Sequence, residues 1–300
     1  KLAEDPEMAG IVRATALHQL QRYLTPMSLA TVEKSLADAD PLVRAAALRA
    51  LEPTDPQTRL RLATPLLADP VRLVRLEAAR VMAPVPDTLL NYQQKSMLAE
   101  ALDEYRQAQM INADRAEGHL NLGWLHTVRG ELDEAEAAFE KAKEIEPYFV
   151  PAFVNLADVY RQQGRDREGE AVLRKALEVE PDSAEVYHAL GLALVRQQRR
   201  EEALAALERA AELQPEEPRY AFVYGVALND LGQEDTALEV LTAAHRRHPT
   251  DRELLWILAL FNRDQGDVVT AGEYARKLYE LAPQDPRAQQ LLRELETGSS

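Results

Sequence analysis

Histidine is the residue type in this sequence best suited to acid–base chemistry or metal binding, because the 300 residues include six His and no Cys. His119 and His126 are seven residues apart, a spacing that places both imidazoles on one face of a helix, where they could bind a metal ion together. His245 and His248 flank two arginines at the end of a predicted helix, where cationic side chains interact favourably with the helix dipole. The alternative for both pairs is a structural role, which we favour, so the sequence predicts no metal site.

Motifs of the common enzyme and cofactor sites are absent from the sequence. It has no GxxxxGK[ST] phosphate loop, no GxSxG nucleophile turn, no HExxH zinc motif and no CxxCH haem motif. Its carboxylates occur in helical stretches such as 131–136, whose pattern is typical of a face in water rather than of paired acids in a cleft. We therefore expect no catalytic residue and no cofactor, and the sequence predicts a protein that is not an enzyme.

Composition and charge narrow the class of protein further. Hydrophobic residues make up 46% of the chain and aromatic residues 6%, a profile typical of Ala- and Leu-rich helices. The net charge is −15, and the acidic excess lies after residue 86, where 40 Asp and Glu stand against 24 Lys and Arg. An acidic surface repels phosphate backbones, so nucleic-acid binding is not expected. Because no apolar run approaches the roughly 18 residues of a membrane span, we expect a soluble chain without membrane insertion.

A period of 34 residues organises the sequence after its first third. Proline recurs at this interval at Pro147, Pro181, Pro215, Pro249 and Pro283. Small residues share the interval at Ala135, Gly169, Ala203, Ala237 and Ala271. Glycine shares it at Gly130, Gly164, Gly232 and Gly266, with Gln198 in the remaining position. Each unit is therefore predicted to be a helix, a glycine turn and a second helix that a proline ends.

One such helical hairpin cannot bury its own apolar face, so successive units are expected to stack. With small residues at the points where two helices approach most closely, residues 116–285 resemble five tetratricopeptide repeats (TPRs). The resemblance implies an all-α fold, a right-handed solenoid of helical hairpins that ends in a TPR superhelix and binds other proteins. It also implies that His119 and His126 occupy the positions where TPRs carry Trp and Tyr against a neighbouring helix.

The segments on either side of the five repeats continue the pattern in part. Residues 87–115 keep the register around Tyr105 but have no glycine turn before it, which predicts a connecting helix or half TPR. Residues 286–300 place Leu291 and further leucines among charged residues, which predicts a capping helix followed by a disordered tail. The sequence begins at Lys1 rather than at a Met and shows no signal peptide, so we expect a fragment or a mature segment.

The first 86 residues follow a shorter period of 31. A Val-Arg pair recurs at this interval at 12–13, 43–44 and 74–75, and an acid stands six residues before each arginine, at Glu7, Asp38 and Asp69. This pattern resembles HEAT repeats, in which an Asp and an Arg six residues apart form a hydrogen-bonded ladder between stacked units. We therefore predict HEAT-like helical repeats over residues 1–86, with Glu7 in place of the usual Asp. Generic amphipathic helices are the alternative, and they leave the architecture all-α.

In each TPR, one face of the first helix points roughly 150° away from the core stripe. In stacked TPRs this face lines a concave groove, so the resemblance implies that the groove binds a partner protein or an extended peptide. The predicted groove residues are Leu120, Asn121, Trp124, Asn155, Asp158, Arg161, His188, Leu192, Phe222, Val226, Trp256 and Leu260.

Two features of this predicted groove bear on its partner. Asn121 and Asn155 share one position in successive repeats, which resembles the asparagine ladder with which some TPR proteins hold a peptide backbone. Leu120 stands where chaperone-binding TPR proteins carry Lys, so their carboxylate clamp is not expected. The only two tryptophans, Trp124 and Trp256, are either exposed anchors for a partner or packing residues against the adjacent helix, and both alternatives stay open.

The order of HEAT-like repeats and TPRs resembles the C-terminal part of larger bacterial exported proteins that begin with a multihaem cytochrome region. The run DPLVRAAAL at 40–48 supports the resemblance, which implies a periplasmic or extracellular location. The absence of Cys is compatible with either redox compartment. The leading prediction is a protein–protein interaction scaffold. The alternative is an assembly module of a larger extracytoplasmic redox protein that packs on sister domains or on itself, and a third, weaker interpretation is a small-molecule or lipid binder.

Overall fold

The computed structural model of the chain describes residues 2–21 and 24–297, and within these ranges all regular secondary structure is helical. The predicted all-α fold, built from helical hairpins as a solenoid, is confirmed. The chain divides into two compact units, Lys1–Ala152 and Phe153–Ser300. The predicted domain boundaries at residues 86, 115 and 285 depend on changes of repeat period and remain predictions.

The first unit is built from eight described α-helices and the start of a ninth. They are α1 (Gly10–Leu20), α2 (Pro26–Ser35), α3 (Pro41–Arg49), α4 (Pro56–Ala63), α5 (Arg72–Met82), α6 (Tyr92–Met110), α7 (Ala116–Arg129), α8 (Leu132–Ile145) and α9 (Val150–Gln162), most of which lies in the second unit. Short 3-10 turns lie at Leu2–Glu4, Thr64–Ala68 and Asp87–Leu89. The 19-residue helix α6 occupies most of the predicted connecting segment.

Local sequence signals set the starts of α3 and α4. Each begins with a proline, whose missing N–H costs nothing in the first helical turn. The preceding aspartate accepts a backbone hydrogen bond from the first turn, from Leu42 N to Asp40 and from Thr58 N to Asp55. The Asp-Pro pairs at 40–41 and 55–56 therefore fix where these helices enter the stack.

Arginine–acid pairs connect successive helical units of the first compact unit. Arg44 donates from Nε and Nη2 to the two carboxylate oxygens of Asp69, both at 2.9 Å. Arg13 donates to the carboxylate of Asp38 through Nη1 alone, and Arg75 donates to Glu104 on α6 at 2.7 and 2.8 Å. We call these three pairs the ladder. The classification of the units as HEAT repeats remains a prediction.

The second unit continues from α9 as a series of helical hairpins. Its further helices are α10 (Asp166–Val179), α11 (Ala184–Arg196), α12 (Arg200–Leu213), α13 (Pro218–Asp230), α14 (Glu234–Arg247), α15 (Arg252–Asp264), α16 (Val268–Leu281) and α17 (Pro286–Thr297). The tail predicted after the capping helix falls mostly on residues 298–300, which lie outside the described residues. No helix in the described ranges combines the length and the apolar character that a membrane crossing requires.

The turn inside each hairpin has a left-handed backbone conformation. Gly130, Gly164, Gly232 and Gly266 have φ between 73° and 85° there. Glycine adopts this conformation without steric cost because it has no Cβ. Gln198, which takes the glycine position in the third hairpin, has φ 61° and is the only non-glycine residue with positive φ among those described. The predicted turn therefore forms in this hairpin even without its glycine.

The small residues of the repeat lie where the two helices of a hairpin touch. A Cβ added to Gly191 would lie 2.6 Å from Cγ of Leu207, and one added to Gly225 would lie 2.6 Å from Cγ of Leu241. Ala203 and Ala237 are completely or almost completely buried in the same hairpins. The small residues therefore recur every 34 residues because the two helices of each hairpin approach closely at these positions, where only small side chains fit.

Candidate partner-binding site

The second unit contains an open cavity of about 490 Å³ lined by residues of α9, α10, α11 and the start of α13. Four of the predicted groove residues line it, and its full lining is Val154, Ala157, Asp158, Arg161, Gly169, Leu173, Glu185, His188, Ala189, Leu192, Ala193, Arg196, Gln214, Glu217, Arg219 and Tyr220. We call it the His188 cavity. Its size is sufficient for a few side chains of a bound peptide.

Three of the six charged side chains of the lining form local ion pairs. Asp158 accepts hydrogen bonds from Arg161 Nε at 2.7 Å and from Gln162 Nε2 at 2.8 Å. Arg196 Nε donates to Asp166 Oδ1 at 2.7 Å. The lining as a whole contains three acids and three arginines. The cavity is therefore balanced in charge on a chain whose net charge is −15.

The imidazole of His188 is the unusual polar group of the cavity. His188 is 8% exposed, and neither ring nitrogen has a hydrogen-bond partner among the described residues. Its ring centroid lies 4.9 Å from that of Tyr220. Burial, together with the charge of Arg219, lowers the pKa of His188 to about 4. At neutral pH the ring is thus uncharged and has one N–H and one lone pair unused, which is costly for a buried group.

Tyr220 and Arg219 belong to this site, although the sequence analysis did not select them. Both lie in the first turn of α13, where Glu217 accepts a hydrogen bond from Arg219 N at 3.3 Å. Burial raises the pKa of Tyr220, and the nearby Glu185 and Glu217 raise it further. The groove residues predicted from sequence lie from the second turn of each first helix onwards, and none of them lies in the first turn. Pro218 could have indicated this part of the site, because a proline is typical of the first turn of a helix.

A second cavity of about 490 Å³ lies further along the same unit and shares Leu192 with the first. Val226, another predicted groove residue, lines it with Val195, Val223 and further apolar side chains. Gln198, Arg200 and Asp230 supply its polar groups. Leu192 thus lines both cavities, so a ligand that follows α11 would contact both.

The remaining predicted groove residues of the second unit contribute to packing. Phe222 is half-buried against the cluster around Leu241 and Leu258, and Leu260 against the cluster around Ala259 and Leu291. Asn155 is half-buried on α9. The structure does not place these three side chains in the lining of the His188 cavity.

Trp256 packs under the last described helix. Its half-buried ring contacts apolar clusters that include Ala288 and Leu291 of α17, and the guanidinium carbon of Arg287 lies 5.8 Å from the ring centroid. A cation over the face of an indole is attracted to the ring. Helix α17 therefore packs over Trp256 and the neighbouring Leu260, two of the predicted groove residues.

The three predicted groove residues of the first unit are also half-buried. Trp124 packs against the main core of that unit, with the guanidinium carbon of Arg80 5.9 Å from its ring centroid. Asn121 Nδ2 donates to Gln109 Oε1 at 2.9 Å, and Leu120 packs against a cluster around Ala116. The amide of Asn121 is therefore already satisfied within its own unit.

The histidines outside the cavity have structural contacts of their own. His119 Nε2 lies 3.0 Å from the carbonyl oxygen of Ala113, and His126 Nδ1 lies 2.6 Å from Glu131 Oε2. His245 is buried edge-on against Tyr274, with ring centroids 5.4 Å apart. Across residues 2–21 and 24–297, no group of three or more His, Asp or Glu is arranged to hold a metal ion.

Comparison with known proteins agrees with this architecture. The family model described as the TPR domain of cytochrome c-type biogenesis protein H matches residues 170–288. Two further models, each described as a tetratricopeptide repeat, match residues 130–191 and 91–148. No protein of curated function matches the sequence significantly.

Solved structures show the same fold at low sequence identity. The chain is similar to the Pseudomonas aeruginosa protein pilF at 24% identity, with a TM-score of 0.53 over 64% of this chain and 85% of that one. It is similar to a chain of the Cut9–Hcn1 hetero-tetramer of the APC/C at 15% identity, with a TM-score of 0.52 over 95% of this chain and 55% of that one. Taken together, the period, the left-handed turns and the three family models establish that this chain contains tetratricopeptide repeats between residues 91 and 288.

Proposed function

We propose that the chain is a protein–protein interaction scaffold and that its His188 cavity binds an extended peptide segment of a partner protein. The presence of TPRs supports the scaffold role. The observation that carries the site is that four groove residues predicted from sequence position alone line this one cavity. Concave sites with apolar walls and a few unsatisfied polar groups are where proteins usually bind ligands.

The chemistry of the cavity fits a peptide backbone. An uncharged imidazole offers one donor and one acceptor, which match the C=O and N–H groups of an extended chain. Tyr220 is only half-buried, so a rotation of its side chain would open the space beside His188 to such a backbone. Leu192 and Val154 would contact the apolar side chains of the peptide. Binding would then supply the hydrogen bonds that His188 lacks in the free protein.

The charge balance of the cavity indicates what kind of segment binds. Because the charged groups of the lining are balanced and partly paired, a strongly charged peptide gains little from them. The valines that line the second cavity beyond Leu192, at 195, 223 and 226, favour a segment with aliphatic or aromatic side chains. We therefore expect a partner segment that is mostly apolar, and an affinity that changes little between low and physiological salt.

The test is a selection of random peptides on the immobilised chain, followed by affinity measurements on variants. Leu192→Asp should weaken binding of the selected peptides at least tenfold, because it places a charge between the two cavities. Leu281→Asp is the matched control, since Leu281 is exposed on α16 and lines neither cavity. Equal affinities of the two variants, with both folded by circular dichroism, would rule out this binding site.

A narrower candidate is a role in the assembly of c-type cytochromes. The match of residues 170–288 to a TPR domain of cytochrome c-type biogenesis protein H favours it, and this segment overlaps the His188 cavity. The candidate also suits the alternative of an assembly module in an extracytoplasmic redox context. Deletion of the gene should then lower the content of covalently bound haem in the cell. Restoration by the Leu281→Asp variant but not by Leu192→Asp would support it, and an unchanged haem content would contradict it.

A further inference from the structure

The two cavities of the second unit occupy the same position in two successive repeats. Eight of the eleven residues that line the second cavity stand 34 residues after a residue that lines the His188 cavity. Ala203 and Leu207 of α12, for example, take the places of Gly169 and Leu173 of α10. The His188 cavity is lined by the successive first helices α9 and α11, and the second cavity by α11 and α13. The fold therefore repeats one concave site along this unit.

The side chains of the two cavities differ in polarity at two equivalent positions. Asp158 and Arg161, which form a hydrogen bond of 2.7 Å in the His188 cavity, correspond to Leu192 and Val195 in the second cavity. A carboxamide group both donates and accepts hydrogen bonds, so it can pair with the carboxylate and the guanidinium of the first cavity together. The second cavity has no such pair at these positions and suits an aliphatic side chain.

The repeat also fixes the distance between the two sites. Because both cavities border on α11, their centres are one helix spacing apart, roughly 8–10 Å. In a polyproline II segment every third side chain points in the same direction, about 9 Å further along the chain. In a β-strand the side chains of one face recur at about 7 and 13 Å, and neither distance matches. Polyproline II also leaves the backbone N–H and C=O groups without internal hydrogen bonds, so they can pair with the ring nitrogens of His188.

We propose that the two cavities together recognise a polyproline II segment with a carboxamide side chain and an aliphatic side chain three residues apart. The carboxamide of an Asn or Gln enters the His188 cavity beside Asp158 and Arg161. The aliphatic side chain contacts Leu192 and Val195 in the second cavity. Such a segment is mostly apolar and uncharged, as the balanced charge of the His188 cavity requires. This inference rests on the proposed function and adds the conformation and the residue spacing of the partner segment.

Binding of synthetic peptides to the full chain tests the spacing. Each peptide is short, blocked at both ends and built of proline except for one Gln and one Leu, which are set two, three or four positions apart. Proline holds all of these peptides in the polyproline II conformation, so they differ only in the direction and distance between the two side chains. We expect the separation of three to bind at least tenfold more tightly than the other two in calorimetric titrations, because only this peptide reaches both cavities.

Two variants of the chain test the contact in the second cavity. Val195 is 47% exposed, so Val195→Arg leaves the fold intact and places a charge where the leucine of the peptide should lie. It should weaken binding of the peptide with a separation of three at least fivefold. Val269→Arg is the matched control, because Val269 is 75% exposed on α16 and lines neither cavity, and it should leave the affinity unchanged.

The outcomes separate this inference from the proposed function. Equal affinities for the three separations, equal affinities of the two valine variants, or no binding of any of these peptides would each overturn the inference. If peptides selected from a random library still bind and lose affinity in Leu192→Asp, the inference alone is wrong. If the selected peptides bind Leu192→Asp and the control Leu281→Asp equally well, the proposed function is wrong too.

Discussion

The guanidinium of Arg44 donates two parallel hydrogen bonds, each 2.9 Å long, to the carboxylate of Asp69 in the next helical unit. A third nitrogen, Nη1, donates to the backbone carbonyl of Asp38 at 2.8 Å. Burial alone would raise the pKa of Asp69, but hydrogen bonds from Arg44 and Val71 N outweigh it and hold the pKa below its usual range. Arg44 therefore joins two units through both the side chain and the backbone.

Arg44→Ala is expected to lower the free energy of unfolding of the first unit by about 3 kcal/mol, because it leaves the carboxylate of Asp69 buried without its cation. Denaturant unfolding followed by circular dichroism measures the change. Arg61→Ala is the control, since Arg61 and its partner Glu33 are both about half exposed. Its effect should stay below about 1 kcal/mol. Similar losses in the two variants would show that the ladder has no special role.

Gln198→Gly is expected to stabilise the second unit by about 1 kcal/mol. Gln198 has a left-handed backbone conformation, which is strained by about this amount in a residue with a Cβ and unstrained in glycine. Gly232→Ala is the mirror experiment at the equivalent turn, where an added Cβ meets no atom within 4 Å and only the backbone strain changes. It should destabilise by a similar amount. Melting temperatures that move in the same direction would contradict the assignment of these turns.

Two glycine substitutions in helices should have opposite signs. Gly191→Ala should destabilise the second unit by roughly 1–3 kcal/mol, because its Cβ would lie 2.6 Å from Leu207 in the tight contact between α11 and α12. Gly272→Ala should stabilise by about 0.5–1 kcal/mol, because its Cβ would meet only the end of Arg276 at 3.5 Å and alanine favours the helix. Thermal unfolding of both variants checks the prediction, and a stabilising Gly191→Ala would refute the close contact.

Acid should destabilise the second unit through His188. Its pKa is about 4 in the fold and about 6.5 in the unfolded chain, so the unfolded chain binds more protons between these values. Stability is therefore highest above pH 6.5 and falls as the pH drops towards 4, by up to about 3 kcal/mol from this residue. His188→Phe should remove most of that slope in urea titrations at several pH values. A slope that the substitution leaves intact would show that other groups cause it.

The sequence predicted the repeats well because each set of residues that recurs every 34 positions has one steric cause. The turn at Gln198 was expected from the period alone, and Gln198 adopts the left-handed conformation of the glycines at the equivalent turns. The ladder was predicted from an acid six residues before each arginine, but Arg44 bonds the carboxylate of Asp69 and only the backbone of Asp38. The spacing between an acid and an arginine along the chain does not determine which unit's carboxylate the arginine contacts.

The sequence predicted the site only in part. The helical period predicted His188 and Leu192 on one face, and both line the His188 cavity. The period carried no information about the stacking of His188 on Tyr220, which comes from the next repeat. The environment of Trp256 depends on how α17 docks, a tertiary contact beyond the repeat pattern. The repeat period therefore did not predict the contacts of side chains at helix ends or next to the last helix.

Hydrogen exchange of the peptide complex tests most directly whether a partner peptide occupies the His188 cavity. We predict slower exchange on binding in two segments, residues 154–196 and 214–220, which together contain the whole cavity lining. The same segments should show no change in the Leu192→Asp variant at the same peptide concentration. Protection that appears only outside these segments, while they exchange as in the free protein, would contradict the proposed site.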